Sequence, residues 1–112
     1  MLAKIFRLSK QSDFKNVFSN GRKVFGKVFN IRFLPNLEKS SRISVIVSNK
    51  ISKKATARNL IKRRVREIIR KILPKLKQNY DIIITVLSPA SSLDFHQLES
   101  EVVSGFKKSN LI

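Results

Sequence analysis

The sequence predicts an α+β fold: a single-domain α-β sandwich, with a small central sheet and three helices in the order α-β-β-(β)-α-β-α. Three observations predict it. Apolar residues recur at helical spacing in three separate segments, around 12–20, around 52–74 and from 94 onward. Between these segments lie runs of strand length, rich in β-branched and aromatic residues, at 24–34, 43–48 and 80–87. Hydrophobic residues make up 42% of the 112-residue chain, too many for a disordered tail, and alternation of strands with helices calls for a layered fold.

Each element has its own warrant. Ser12 is a suitable cap for a short helix running to about Asn20, on which Phe14, Val17 and Phe18 share a face, and Gly21 offers a left-handed stop. Residues 24–34 alternate, with Phe29, Ile31 and Phe33 on one side and Val28, Asn30 and Arg32 on the other. The polar stretch from Pro35 to Arg42 reads as a loop. Ile43 to Ser48 reads as a strand with Val45 and Val47 inward. Ser52 is a candidate cap for a long helix ending near Pro74. Tyr80 to Leu87 is an isoleucine-rich strand, and Ser88-Pro89-Ala90-Ser91 is a turn. Asp94, or Ser92, caps a last helix carrying Phe95, Leu98, Val102, Val103 and Phe106.

The long helix carries the strongest functional signal. At about 100° per residue, Arg58, Lys62, Arg66, Asn59, Arg70 and Arg63 fall within roughly 140° of arc. Ile61, Val65, Ile68, Ile69 and Ile72 fall within an adjoining arc of roughly 100°. One face is fitted to a core; a neighbouring face carries five cations and an amide. Like charges three and four residues apart repel, so an anionic partner stabilises such a stripe. A solvated face is the ordinary explanation of a charge run, but such faces mix signs, and Glu67 is the only acid between Glu38 and Asp81. The chain as a whole has 24 Lys and Arg against 7 Asp and Glu, a formal charge of +17. Nucleic acid is the first partner to expect and an acidic membrane surface the second. Residues 1–112 are read as one nucleic-acid-binding domain.

Two further features bear on nucleic-acid binding. Phe14 and Phe18, at i and i+4, form either a core face or a stacking platform for unpaired bases. The strands offer one fully apolar face: Phe29, Ile31, Phe33, Ile43, Val45, Val47, Ile82, Ile84 and Val86. The other face collects Asn30, Arg32, Ser44, Ser48 and Thr85, with Ile46 and Ile83 among them. A half-polar sheet face beside aromatic residues suits single-strand binding as well as plain solvent exposure. Catalytic patterns are missing. His96 is the lone histidine, the acids show no two-metal spacing, and Gly21, Gly26 and Gly105 make no phosphate loop. The absence of cysteine excludes disulfides and Cys-ligated zinc or iron–sulfur sites. With no apolar run near the roughly 20 residues of a membrane span, and a charge-interrupted start from Met1 to Lys10, a cytoplasmic location is expected.

At Arg58-Asn59-x-x-Lys62-Arg63-x-x-Arg66-Glu67 the sequence resembles the protein subunit of bacterial ribonuclease P. Val47-Ser48-Asn49-Lys50, Ala55, Leu8-Ser9, Asp13-Phe14-x-x-Val17-Phe18 and Tyr80-Asp81-Ile82-Ile83-Ile84 extend the likeness over roughly residues 4–108. Two positions depart from the family pattern: Asn49 where a second lysine is common, and Ser44 where glycine is common. The resemblance implies a left-handed β-α-β crossover through the basic helix, against the usual right-handed preference. It implies that a catalytic RNA subunit, using magnesium, removes the 5′ leader of precursor tRNA, while the protein supplies no catalytic residue and binds no cofactor of its own. It places Arg58, Asn59, Lys62, Arg63, Arg66 and Arg70, with Lys50 and Lys54, against the RNA subunit. It places Phe14, Phe18, Arg32 and Ser48 along a cleft for the single-stranded leader, with one protein per RNA. A ribosomal or other structural RNA-binding protein explains the charge and size equally well. A DNA-binding regulator fits less, because a basic helix between strands is not a helix-turn-helix.

Overall fold

A computed structural model of the chain describes residues 7, 8, 10–48, 50–87, 90 and 93–112. Among these, α1 spans Gln11–Asn20, β1 Arg22–Phe25, β2 Phe29–Pro35, β3 Arg42–Ile46, α2 Ala55–Ile72, β4 Tyr80–Val86 and α3 Phe95–Lys108. The four strands form one mixed sheet in the order β1-β2-β4-β3. β1 pairs antiparallel with β2, and β2 antiparallel with β4. β3 runs parallel to β4, so α2 is the connection between two adjacent parallel strands.

The apolar face of the sheet is buried as its alternation requires. Phe29, Ile31, Phe33, Ile43, Val45, Ile82, Ile84 and Val86 join Ile61, Val65, Ile68, Ile69 and Ile72 of α2 and Leu98, Val102 and Phe106 of α3 in one core. α2 lies over β3, α3 lies over β2, and the two helices pack on each other. α3 comes close: a Cβ on Gly105 would stand 2.8 Å from Ile31 Cδ1, so any larger residue there would require the Ile31 side chain to shift. The opposite face carries a smaller cluster. Leu8, Val17 and Ile83 are its buried centre, with Phe14, Leu34 and Ile46 around them, and α1 lies on it against β2 and β4. The result is three layers: two helices, the sheet, and one short helix.

The structure departs from the sequence reading at several local points. The run 24–34 is not one strand but most of a hairpin: 22–25 turns back through Gly26, Lys27 and Val28 onto Phe29–Pro35. Val28 is therefore buried in the main core instead of sharing the polar face with Asn30 and Arg32. Pro35 belongs to the strand, paired opposite Tyr80. Ser12 lies inside α1, and Lys10 holds the cap position with no side-chain cap. Ser52 is not the cap of α2 either. Lys54 is, and the Ser52 hydroxyl instead accepts a hydrogen bond from the Lys54 backbone N–H at 3.2 Å. Gly21 is extended, at φ −78° and ψ 161°, not left-handed. Glycine is needed there for space: an added Cβ would meet the Val17 carbonyl oxygen at 2.5 Å and that of Phe33 at 2.9 Å. Asp94 does cap α3, in a reciprocal capping box with Gln97. The alternative cap Ser92 lies outside the described residues, as do Ser9, Asn49 and all of the Ser88–Ser91 turn except Ala90.

Candidate nucleic-acid interface

The first candidate surface is the basic stripe of α2. Burial of the five apolar residues fixes the rotation of the helix and turns its cations outward. Asn59, Arg63 and Arg70 are exposed; Arg58, Lys62 and Arg66 are partly exposed. Asn59, Lys62, Arg63, Arg66 and Glu67 line a surface hollow of about 460 Å³. Glu67 does not neutralise the hollow as a whole, because its carboxylate is engaged by Arg70 one turn on. The hydrogen bond from Arg70 holds the Glu67 carboxyl below the usual carboxylate range, against some desolvation. Arg58 has a local task that its place in the stripe did not announce. Its Nη1 donates to the Ser52 carbonyl oxygen at 2.7 Å and ties the approaching loop to the first turn. Lys50 and Lys54 are exposed on that loop. No acid occupies the first turn of α2, so the positive end of the helix dipole adds to the field of the lysines.

The second candidate surface lies on the other side of the sheet, along the edge of α1. The helical spacing of Phe14, Val17 and Phe18 divides their roles. Val17 is buried and Phe14 half-buried, both in the cluster beneath α1. Phe18 is 42% exposed, and the Arg32 guanidinium lies over its ring at 4.5 Å from the centroid. Such a contact is a cation–π pair, and it presents a flat apolar surface and a positive charge together. Phe14, Phe18 and Arg32 are thus brought together. Ser48 is exposed two residues beyond β3, on the way to α2.

What orients α1 is an ion-pair cluster that sequence reasoning missed. Asp81 on β4 is 4% exposed. It accepts from Arg42 Nε at 2.8 Å, Arg42 Nη2 at 2.7 Å and Asn36 Nδ2 at 2.7 Å. The same guanidinium reaches Asp13 on α1 through Nη1 at 3.1 Å. The hydrogen bond to Asp81 raises the Arg42 pKa above its ordinary value, against desolvation. Arg42 of β3 therefore links α1 to β4, and Asp81 in turn ties in the loop after β2 through Asn36. A faint signal was present: an acid inside an isoleucine run must have a partner if it is buried. Its partner stands 39 residues away, out of reach of any local pattern. Among the described residues no group of three or more His, Cys, Asp or Glu is placed to hold a metal ion, and no helix is long and apolar enough to cross a membrane.

This geometry has known counterparts. The family model described as Ribonuclease P matches residues 2–110. The ribonuclease P protein component of Picosynechococcus is 36% identical over 101 residues, covering 90% of this chain and 87% of its own. That of Caldanaerobacter subterraneus is 32% identical over 111 residues, covering 99% and 95%. Among solved structures, the ribonuclease P protein of Staphylococcus aureus superposes with a TM-score of 0.86 at 26% identity, covering 95% of this chain and 96% of that one. The ribonuclease P protein of Thermotoga maritima superposes with a TM-score of 0.81 at 29% identity, covering 91% and 96%. With the signature helix, the three-layer fold and near full-length agreement in sequence all coinciding, the chain belongs to the ribonuclease P protein family.

Proposed function

We propose that the chain binds the ribonuclease P RNA subunit through the α2 stripe and holds the single-stranded 5′ leader of precursor tRNA between α1 and the sheet. The observation that carries this reading is the placement of two different chemistries on opposite faces of one thin sheet. Arginine and lysine in a helical stripe suit the phosphates of a folded RNA, where Arg adds a planar fork to its charge. An exposed ring backed by a guanidinium suits unpaired bases and their phosphates. Asn59, Lys62, Arg63 and Arg66 line the hollow for the RNA subunit, with Arg70, Lys50 and Lys54 around it and Arg58 holding the loop beside it. Phe18 and Arg32 form the leader wall, Phe14 supports it from beneath, and Ser48 flanks it.

In this reading the RNA cuts the phosphodiester with its own magnesium ions, and the protein contributes no reacting group. It offsets the repulsion between two polyanions and orders the leader. One protein joins one RNA, in the cytoplasm. The test is reconstitution. The chain alone should release no leader, and with ribonuclease P RNA it should permit cleavage at magnesium concentrations too low for the RNA by itself. Cleavage by the RNA-free chain that survives substitution of His96 and the acids would overturn the division of labour. In the same assay Phe18→Leu, which keeps most of the apolar volume, should weaken binding of leader-bearing precursor by about 1 kcal/mol, as for one base–aromatic stack, and leave mature tRNA unchanged. Equal weakening of both substrates, with a lower melting temperature, would make Phe18 a core residue and not a wall.

A further inference from the structure

The β1–β2 register places more on the cleft side of the sheet than the α1 wall. Lys23 stands directly opposite Arg32, and Phe25 directly opposite Asn30. Residues directly opposite in a sheet project from the same face. Phe29 and Ile31 point into the main core, so Asn30 and Arg32, and with them Phe25 and Lys23, project from the face that carries α1. Val24, between them, packs against the main core, as that alternation requires. Phe25 is 71% exposed, on the edge strand. Lys23 is exposed beside Arg32, although like charges directly opposite one another destabilise a sheet pair. Phe25 and Arg32 are diagonal neighbours across the two strands, a separation of roughly 7–8 Å.

We infer that Lys23 and Phe25 extend the single-strand track over the outer edge of the sheet, giving one more phosphate contact and one more base-stacking ring beyond Phe18 and Arg32. The occupant is an unpaired RNA segment continuous with the leader. Two features select it over an apolar partner. The facing cations Lys23 and Arg32 are relieved by an anion lying between them. At the strand end Phe25 also lines a hollow of about 470 Å³ with Lys27 and, from α3, Lys108 and Glu101, so two cations against one acid border the ring there. Alternation of rings with cations at short spacing along an open surface is the chemistry of sequence-tolerant single-strand binding. This inference rests on the cleft reading above and adds to it the route of the strand beyond α1.

The test uses the reconstituted holoenzyme and a series of precursor tRNAs whose leaders grow one nucleotide at a time. Phe25→Ala should have no effect on mature tRNA or the shortest leaders. Beyond a threshold length it should weaken binding by about tenfold, the size of one base–aromatic stack. Phe25→Trp should restore the loss and Phe25→Leu should not, a contrast that mere apolar coverage would not produce. Lys23→Ala should lower the log–log salt slope by about 0.7 for long leaders only, one single-strand phosphate contact. The cleft reading has its own control: wild-type protein must prefer leader-bearing to mature tRNA. If it does, and Phe18→Leu reduces that preference while Phe25→Ala and Lys23→Ala change nothing at any length, the extension alone is overturned. It is equally overturned if Phe25→Ala weakens all substrates alike, or if it abolishes self-association of the chain in sedimentation.

Discussion

Replacing Asp81 with Ala is expected to lower the unfolding free energy by about 3–5 kcal/mol, the range for breaking a buried ion pair by removing one partner. The carboxylate takes three of the hydrogen bonds of its cluster, two from Arg42 and one from Asn36. Without it, the Arg42 side chain, 19% exposed, keeps among the described residues only the more distant Asp13 as an ion-pair partner. A charge that is mostly out of water with one partner gone is far costlier than the absence of the pair. The loss would be a large share of the 5–15 kcal/mol typical of a folded domain. Urea denaturation at neutral pH measures it; a change below about 1 kcal/mol, as for an exposed pair, would show that Arg42 escapes to solvent when released. Arg42→Met combined with Asp81→Leu should be milder than Asp81→Ala alone, since neither partner is then left orphaned. The pH dependence follows from the direction of the Arg42 shift. A raised pKa gives stabilisation that is complete below the ordinary arginine value and is lost only as the pH climbs through the raised one. The arginine's part in the cluster is therefore constant across the neutral range.

The second large effect concerns the hollow on α2. Substitution of Lys62, Arg63 and Arg66 together by Ala should leave the melting temperature nearly unchanged, because Ala favours helix and the buried stripe is untouched. Binding of the ribonuclease P RNA should weaken strongly. If each cation holds one phosphate, the slope of log affinity against log salt should fall by about two to three in total. An unaltered slope would mean that this face is simply solvated. Arg58 is left out of the set on purpose. Its hydrogen bond to the Ser52 carbonyl makes it part of the loop's structure, so its loss would mix a folding change of about 1 kcal/mol with any loss of RNA contact.

What the sequence made legible, and what it did not, divides by range. Ile61, Val65, Ile68, Ile69 and Ile72 are all buried, because five large apolar residues within one narrow arc leave the helix a single way to dock. The sheet face from Phe29 to Val86 and the Asp94 cap of α3 were legible for the same reason: each is a short-range pattern that tertiary structure had no cause to override. A third strand before α2 was allowed for, but the place of the hairpin at Gly26 was not legible. Period-two alternation continues through it, and Gly-Lys-Val lacks the residues that mark a tight two-residue turn. Ser12 and Ser52 were plausible caps displaced by a residue or two, within the usual uncertainty of helix ends. In the candidate site, the cations were visible as a stripe, and Phe14 and Phe18 as a pair. The division of labour between those two rings was not, since it depends on where Val17 sinks into the sheet. Nor were Arg42 and Asp81, whose partnership is purely tertiary, or the facing of Lys23 and Arg32, which depends on the strand register.

The position of β4 in the sheet has a consequence for how the molecule comes into being. β4 is the last strand in sequence, yet it stands between β2 and β3 and supplies one side of every strand pairing except that of β1 with β2. During synthesis the chain emerges from its amino end. Until Tyr80–Val86 has left the ribosome, the sheet among the described residues is a single hairpin, which is marginal by itself in water. Among the described residues β3 then has only the single parallel bridge between Arg7 and Ile43 to hold it, and the isoleucines of α2 have no complete floor to lie on. The two surfaces proposed for RNA therefore come into existence together and late, in a step that joins segments far apart in the chain, while the basic helix proposed to grip one RNA is made beside another.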